Sequence, residues 1–215
     1  MSVTTRQNGL EAMLLAAPVV AVVVIDQLEH AVPLAQALVA GGIRAIEITL
    51  RTPVALDAIR AIADGVNGAI AGAGTVLGPD DLRAAERAGA KFAVSPGATG
   101  HLLDAVERSA LPFLPGAATA SEALALRERG YRLQKFFPAE PAGGVDYLRA
   151  LGGPLPDIAF CPTGGVRATN AAQYLALPNV ICVGGSWLSP AGLLQAADWP
   201  AITALARAAA ALSRR

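Results

Sequence analysis

Short apolar runs alternate along the whole chain with longer stretches in which apolar residues recur at helical spacing. Runs at residues 19–25, 43–50, 69–73, 91–95, 112–114, 132–136, 157–161 and 180–183 predict eight strands. The segments 31–40, 54–63, 79–88, 100–109, 121–129, 146–151, 170–176 and 202–213 predict eight helices between and after them. Turn punctuation agrees. Pro53 and Pro79 stand near helix starts, where a missing N–H costs nothing, and Gly41, Gly89 and Gly130 follow helix ends. Repeated βα units with no break in composition predict one α/β domain over residues 1–215, folded as a closed (β/α)8 TIM barrel. An open doubly wound sheet would leave two edges to protect.

Composition narrows the picture without changing it. With 53% hydrophobic and 16% charged residues the chain can bury a large core, which excludes disorder. The apolar stretch 13–25 is interrupted by Pro18 and falls short of the roughly 18 residues a membrane span needs, so it reads as a buried strand. Residues 1–7 lack the order of a signal peptide, and the cytoplasm is the expected compartment. Seventeen basic and seventeen acidic residues cancel, so no global field favours nucleic acid or anionic lipid. Any anionic ligand has to be held locally. Cys161 and Cys182 sit in apolar runs and read as packing residues, and His30 and His101 lie near helix starts. No grouped ligand set is present, so neither a metal nor a cofactor is expected.

In a βα barrel the site is built where the strands end, which singles out a few polar residues. Along the second strand, period two puts Glu47, Thr49 and Arg51 on one face and Ile46, Ile48 and Leu50 on the other. With the apolar set against the helices, Glu47 and Arg51 point inward, as catalytic groups or as a structural ion pair. Gly72-Ala73-Gly74-Thr75 closes the third strand and admits a ligand close to the backbone, or simply makes a turn. Lys135 ends the sixth strand on the same face as Tyr131 and Leu133. Desolvation there would favour a neutral, nucleophilic amine and make it a Schiff-base candidate; the alternative is a lysine reaching along the strand end to water. That parity also aims Arg132 and Gln134 at the helix layer, an awkward place for polar groups. Thr163-Gly164-Gly165 and Gly184-Gly185-Ser186 follow the seventh and eighth strands, where barrels commonly bind phosphate on backbone amides.

Taken together, Glu47-Ile48-Thr49-Leu50-Arg51-Thr52, Gly72-Ala73-Gly74-Thr75-Val76, Ser95-Pro96-Gly97, Lys135-Phe136-Phe137-Pro138-Ala139-Glu140, Phe160-Cys161-Pro162-Thr163-Gly164-Gly165 and Gly184-Gly185-Ser186-Trp187 resemble a known family. It is that of the 2-keto-3-deoxy-6-phosphogluconate (KDPG) aldolases, also active on 4-hydroxy-2-oxoglutarate (KHG). The resemblance spans nearly the whole chain. It implies a class I aldolase in which Lys135 forms the Schiff base and Glu47 is the general acid/base. Arg51 and Thr75 would hold the pyruvoyl carboxylate, with Pro96 and Phe137 as pocket walls and Thr163 beside the substrate hydroxyls. The phosphate would rest on Gly164, Gly165, Gly184, Gly185 and Ser186. The partners implied are a small 2-keto acid and two further copies in a homotrimer. One departure is visible at Ala21, where the family often has a proline; it bears on the local wall of the pocket. Three rival readings are a metal-dependent aldolase, a sugar-phosphate isomerase or epimerase, and a non-catalytic phosphosugar-binding barrel.

Overall fold

The computed structural model describes residues 2–213. It is an α/β fold whose strands pair in parallel throughout, in a six-stranded sheet and a three-stranded sheet. The larger sheet runs in the order β5-β4-β3-β2-β1-β9 and the smaller β6-β7-β8. Its strands are β1 (Val19–Val23), β2 (Ala45–Thr49), β3 (Ile70–Gly74), β4 (Phe92–Val94), β5 (Phe113–Leu114), β6 (Gly116–Ala117), β7 (Leu133–Phe136), β8 (Ala159–Pro162) and β9 (Val183–Gly185).

The predicted fifth strand continues past its expected end and splits in two at Pro115. Proline has no N–H for the ladder, but its carbonyl still accepts from the Lys135 amide at 2.8 Å. The pairing partner thus changes from β4 before the proline to β7 after it. The last strand begins three residues later than its expected start at 180. Ile181 donates instead to Phe160 O, and Val183 donates to Pro18 O to enter the ladder beside β1.

Helices α2 (Ala31–Ala40), α3 (Ala55–Gly65), α4 (Pro79–Arg87), α5 (Gly100–Arg108), α6 (Ala120–Glu128), α7 (Gly144–Gly152), α8 (Ala171–Leu175) and α10 (Trp199–Ala210) fall near their expected places. α10 starts three residues before the expected 202, because the Asp198 side chain caps the Ala201 amide and Pro200 fits the first turn. Among the described residues two α-helices lie outside the expected set. One is the short α9 (Ala191–Gln195). The other is α1 (Val3–Leu14), which takes up the start of the 13–25 apolar stretch read as strand. Its apolar pattern is weak because its buried face carries Arg6 and Gln7 beside Leu10 and Leu14. Gln7 earns that burial: its amide donates to Phe113 O at 3.0 Å and accepts from the Leu133 amide at 2.7 Å, tying β5 to β7.

Side-chain alternation divides the core in two. Ile46, Ile48, Ala21 and Val23 pack with Leu34, Leu38, Ile59 and Ile62 of the helices. The opposite strand faces contribute Val20, Phe92, Val94, Leu114, Leu133 and both free cysteines to a cluster with Leu10 and Leu14 of α1. The awkward Gln134 is fully buried on the helix side, where its amide donates to Ala123 O and Tyr131 O at 3.0 and 2.9 Å. Among the described residues no helix is long and apolar enough to cross a membrane.

Candidate active site

One face of the strands carries Glu47 on β2 and Lys135 on β7, and the fold turns both into a cavity of about 270 Å³. Lys135 Nζ donates to Glu47 Oε1 at 2.9 Å, and the two side chains are only 6% and 4% exposed. Burying such a pair costs desolvation that hydrophobic packing would avoid, so its presence at a cavity wall points to use and not to stability. The Phe137 ring lies 5.3 Å from the ammonium nitrogen and shields it further.

Glu47 is therefore paired with Lys135, not with Arg51 as the structural alternative required. Arg51 is exposed at the cavity rim and has no carboxylate partner among the described residues. A guanidinium left free in a cavity wall is suited to a ligand carboxylate, which it can grip with two parallel hydrogen bonds. Thr49 shares the cavity but spends its hydroxyl on Val23 O at 3.1 Å.

The end of β3 is shaped around these groups. Gly72 lies beneath the Phe92 ring, and a methyl on Gly74 would overlap the Glu47 carboxylate. Thr75, which follows and lines the cavity, has φ +60. A β-branched residue in the left-handed region costs on the order of 1–3 kcal/mol, and such strain persists where a site requires the geometry. Gly74→Ala should displace Glu47 and, on the general acid/base role that the family resemblance implies for it, lower kcat by roughly 10²-fold. Steady-state assays on a variant shown to be folded by circular dichroism check this.

Across the cavity, Gly164 and Gly165 adopt φ +96 and +83, which only glycine takes up without strain. Gly184 pairs with Thr163 through a parallel bridge, and a side chain on it would strike the Thr163 hydroxyl. Thr163, Gly164, Gly165, Gly184 and Ser186 line the cavity, as do Pro96 and Phe137. Gly185 does not: the space a Cβ would take is filled by the Trp187 ring, so this glycine serves packing. The spacing of residues alone could not separate the two adjacent glycines. Val22 and Val166 complete the lining and were not singled out from the sequence, although strand parity with Val20 places Val22 on the inner face. Ala21 points into the helix-side core, so the departure from the usual proline lies behind the pocket wall. His30 packs edge-on against Trp199 and takes no part in this cavity. Among the described residues no group of three His, Cys, Asp or Glu side chains is placed to hold a metal ion.

Residues 10–205 match the family described as KDPG and KHG aldolase. The 2-dehydro-3-deoxy-phosphogluconate aldolase of Pseudoalteromonas atlantica is 55% identical over 194 residues, covering 90% of each chain. The KHG/KDPG aldolase of Escherichia coli is 53% identical over 203 residues, covering 94% of this chain and 95% of the other. Among solved structures, the Legionella pneumophila KDPG aldolase, in which pyruvate was captured as a covalent carbinolamine, superposes with a TM-score of 0.91 at 46% identity. That match covers 94% of this chain and 98% of the other. The Zymomonas mobilis KDPG aldolase with 3-phosphoglycerate gives a TM-score of 0.93 at 43% identity, covering 97% and 98%. A buried lysine–carboxylate pair beside two glycine loops, on a parallel α/β frame matched over nearly its full length, places this chain in the KDPG and KHG aldolase family.

Proposed function

We propose that this protein is a class I aldolase that cleaves KDPG to pyruvate and glyceraldehyde 3-phosphate, and KHG to pyruvate and glyoxylate. The observation that carries the reading is the 2.9 Å contact of Lys135 with Glu47 at the wall of the cavity. It joins a nucleophile and a proton carrier, the two groups that imine chemistry needs.

The deprotonated amine of Lys135 adds to the C2 ketone, and the carbinolamine loses water to give a protonated imine. Glu47 takes the C4 hydroxyl proton, the C3–C4 bond breaks, and its electron pair flows to the iminium nitrogen. The aldehyde departs with the phosphate. Glu47 returns the proton to C3 of the enamine, and hydrolysis of the pyruvate imine frees Lys135. Arg51 and Thr75 hold the carboxylate, Pro96 and Phe137 flank the reacting carbons, and Thr163 faces the sugar hydroxyls. Gly164, Gly165, Gly184 and Ser186 receive the phosphate, with Gly185 letting Trp187 support the loop.

The two sheets are read as arcs of a single (β/α)8 barrel forming one catalytic domain over residues 1–215. Supporting this, Pro115 alone separates β5 from β6, and the bridges Phe160↔Val180 and Thr163↔Gly184 join β8 to the β9 segment. The family resemblance supports a homotrimer acting in the cytoplasm without a metal.

Incubation with pyruvate and borohydride, followed by peptide mapping, tests the function. An irreversible adduct on Lys135, with chelator-insensitive cleavage of KDPG, is expected. A folded protein that gives no adduct would instead favour a phosphosugar isomerase or a binding barrel.

A further inference from the structure

Glu140 closes the segment that begins with Lys135, yet it takes no part in lining the cavity. Its contacts lead elsewhere. The Glu140 amide donates to Gly164 O at 3.0 Å and the Ala139 amide to Thr163 O at 2.8 Å, so the turn after β7 is bonded to the loop after β8. The left-handed Gly165 lies directly on the Glu140 side chain, where a methyl would stand 2.5 and 2.6 Å from Cγ and Cβ. On the other side Gly144, also left-handed, leaves 3.5 Å between such a methyl and Glu140 Oε1.

The carboxylate itself accepts a hydrogen bond from the phenol of Tyr174, a fully buried ring on α8. Burial, reinforced by the bond to Glu140 and by its charge, pushes the Tyr174 phenol far above its ordinary range, so it remains a donor at any working pH. The arrangement has an electrostatic consequence. A free carboxylate beside Gly164 and Gly165 would repel an anion bound there. The Tyr174 bond holds this one in a fixed place outside the cavity lining.

We infer that Glu140 and Tyr174 are positioning residues for the phosphorylated end of the substrate: the Glu140 side chain sets the shape of the 163–165 loop, and Tyr174 anchors the carboxylate away from the anion. The inference rests on the phosphate reading of that loop given above. Neither residue touches the reacting carbons, so their removal should alter recognition and leave the imine chemistry intact.

The test is aldol condensation of pyruvate with glyceraldehyde 3-phosphate and, separately, with unphosphorylated glyceraldehyde. Tyr174→Phe keeps the buried ring and leaves no orphan hydroxyl. It should raise KM for the phosphorylated aldehyde roughly tenfold, the scale of one hydrogen bond to a charged group. The kcat, the rate with glyceraldehyde and pyruvate trapping by borohydride should stay unchanged. Glu140→Gln retains an acceptor oxygen for Tyr174 and should remain within about threefold of the unaltered enzyme. Equal losses on both aldehydes in Tyr174→Phe, or an unchanged KM for the phosphorylated one, would overturn the inference. Failure of the unaltered enzyme to trap pyruvate would strike the aldolase reading itself and is distinguished by that control.

Discussion

Replacing Lys135 with alanine is expected to lower kcat/KM for KDPG by at least about 10⁴-fold, the scale seen when a covalent nucleophile is removed. No other lysine is placed to substitute. The chain has one further lysine, Lys91, and it is exposed, immediately before β4 and so at the opposite end of that strand from Pro96 in the cavity. The same circumstance makes the adduct easy to locate, since only two lysine side chains compete for pyruvate. The substitution should also change stability. With its partner gone, the Glu47 carboxylate is left almost fully buried and unpaired, at a cost of up to about 3–5 kcal/mol. Urea unfolding of Lys135→Ala against Lys135→Ala/Glu47→Gln separates the two effects. The double variant should recover most of the lost stability and none of the activity. Cleavage that survives in folded Lys135→Ala would defeat the imine mechanism.

Glu47→Gln should divide the reaction at its proton transfers. The amide has the carboxylate's shape and still offers Lys135 an oxygen at the 2.9 Å contact, but it cannot take a proton from the C4 hydroxyl or return one to the enamine. A fall in kcat of about 10²–10⁴-fold is expected, in line with removal of a general acid/base. Borohydride trapping of pyruvate should continue at a substantial rate. Single-turnover trapping beside steady-state cleavage measures the difference. Equal losses in both would mean that Glu47 is needed to form the imine, and its assignment as the carrier of the C4 proton would have to be abandoned.

The cavity was legible from the sequence to an unusual degree because strand parity is a local property. Once 45–49 is a strand, Glu47 and Thr49 must share a face opposite Ile46 and Ile48, whatever the rest of the chain does. The glycine loops were legible for a related reason: a φ near +90° at Gly164 or Gly165 is a backbone demand that excludes other residues. Parity could not say whether Glu47 would meet Arg51 or Lys135. Arg51 is four residues away, whereas Lys135 is 88 residues away and arrives only when β7 is brought round to face β2. Nor could it distinguish Gly184, pressed against Thr163, from Gly185, pressed against Trp187.

The parts of the fold that local pattern does not show share a cause. α1 is hidden because Arg6 and Gln7 look like surface residues until backbone more than a hundred positions away offers them partners, Ser109 O for Arg6, and Phe113 O and the Leu133 amide for Gln7. The break at Pro115 follows from which neighbour each half of the strand can find, and so does the late start of β9. Side-chain period and local backbone freedom are enough to set the alternation of strand and helix, the inward faces and the residue types available for imine chemistry. The pairing of Lys135 with Glu47, and the tie of Glu140 and Tyr174 to the glycine loop, arise when the chain folds. Those outcomes depend on distances between segments remote in the chain, which no local periodicity encodes.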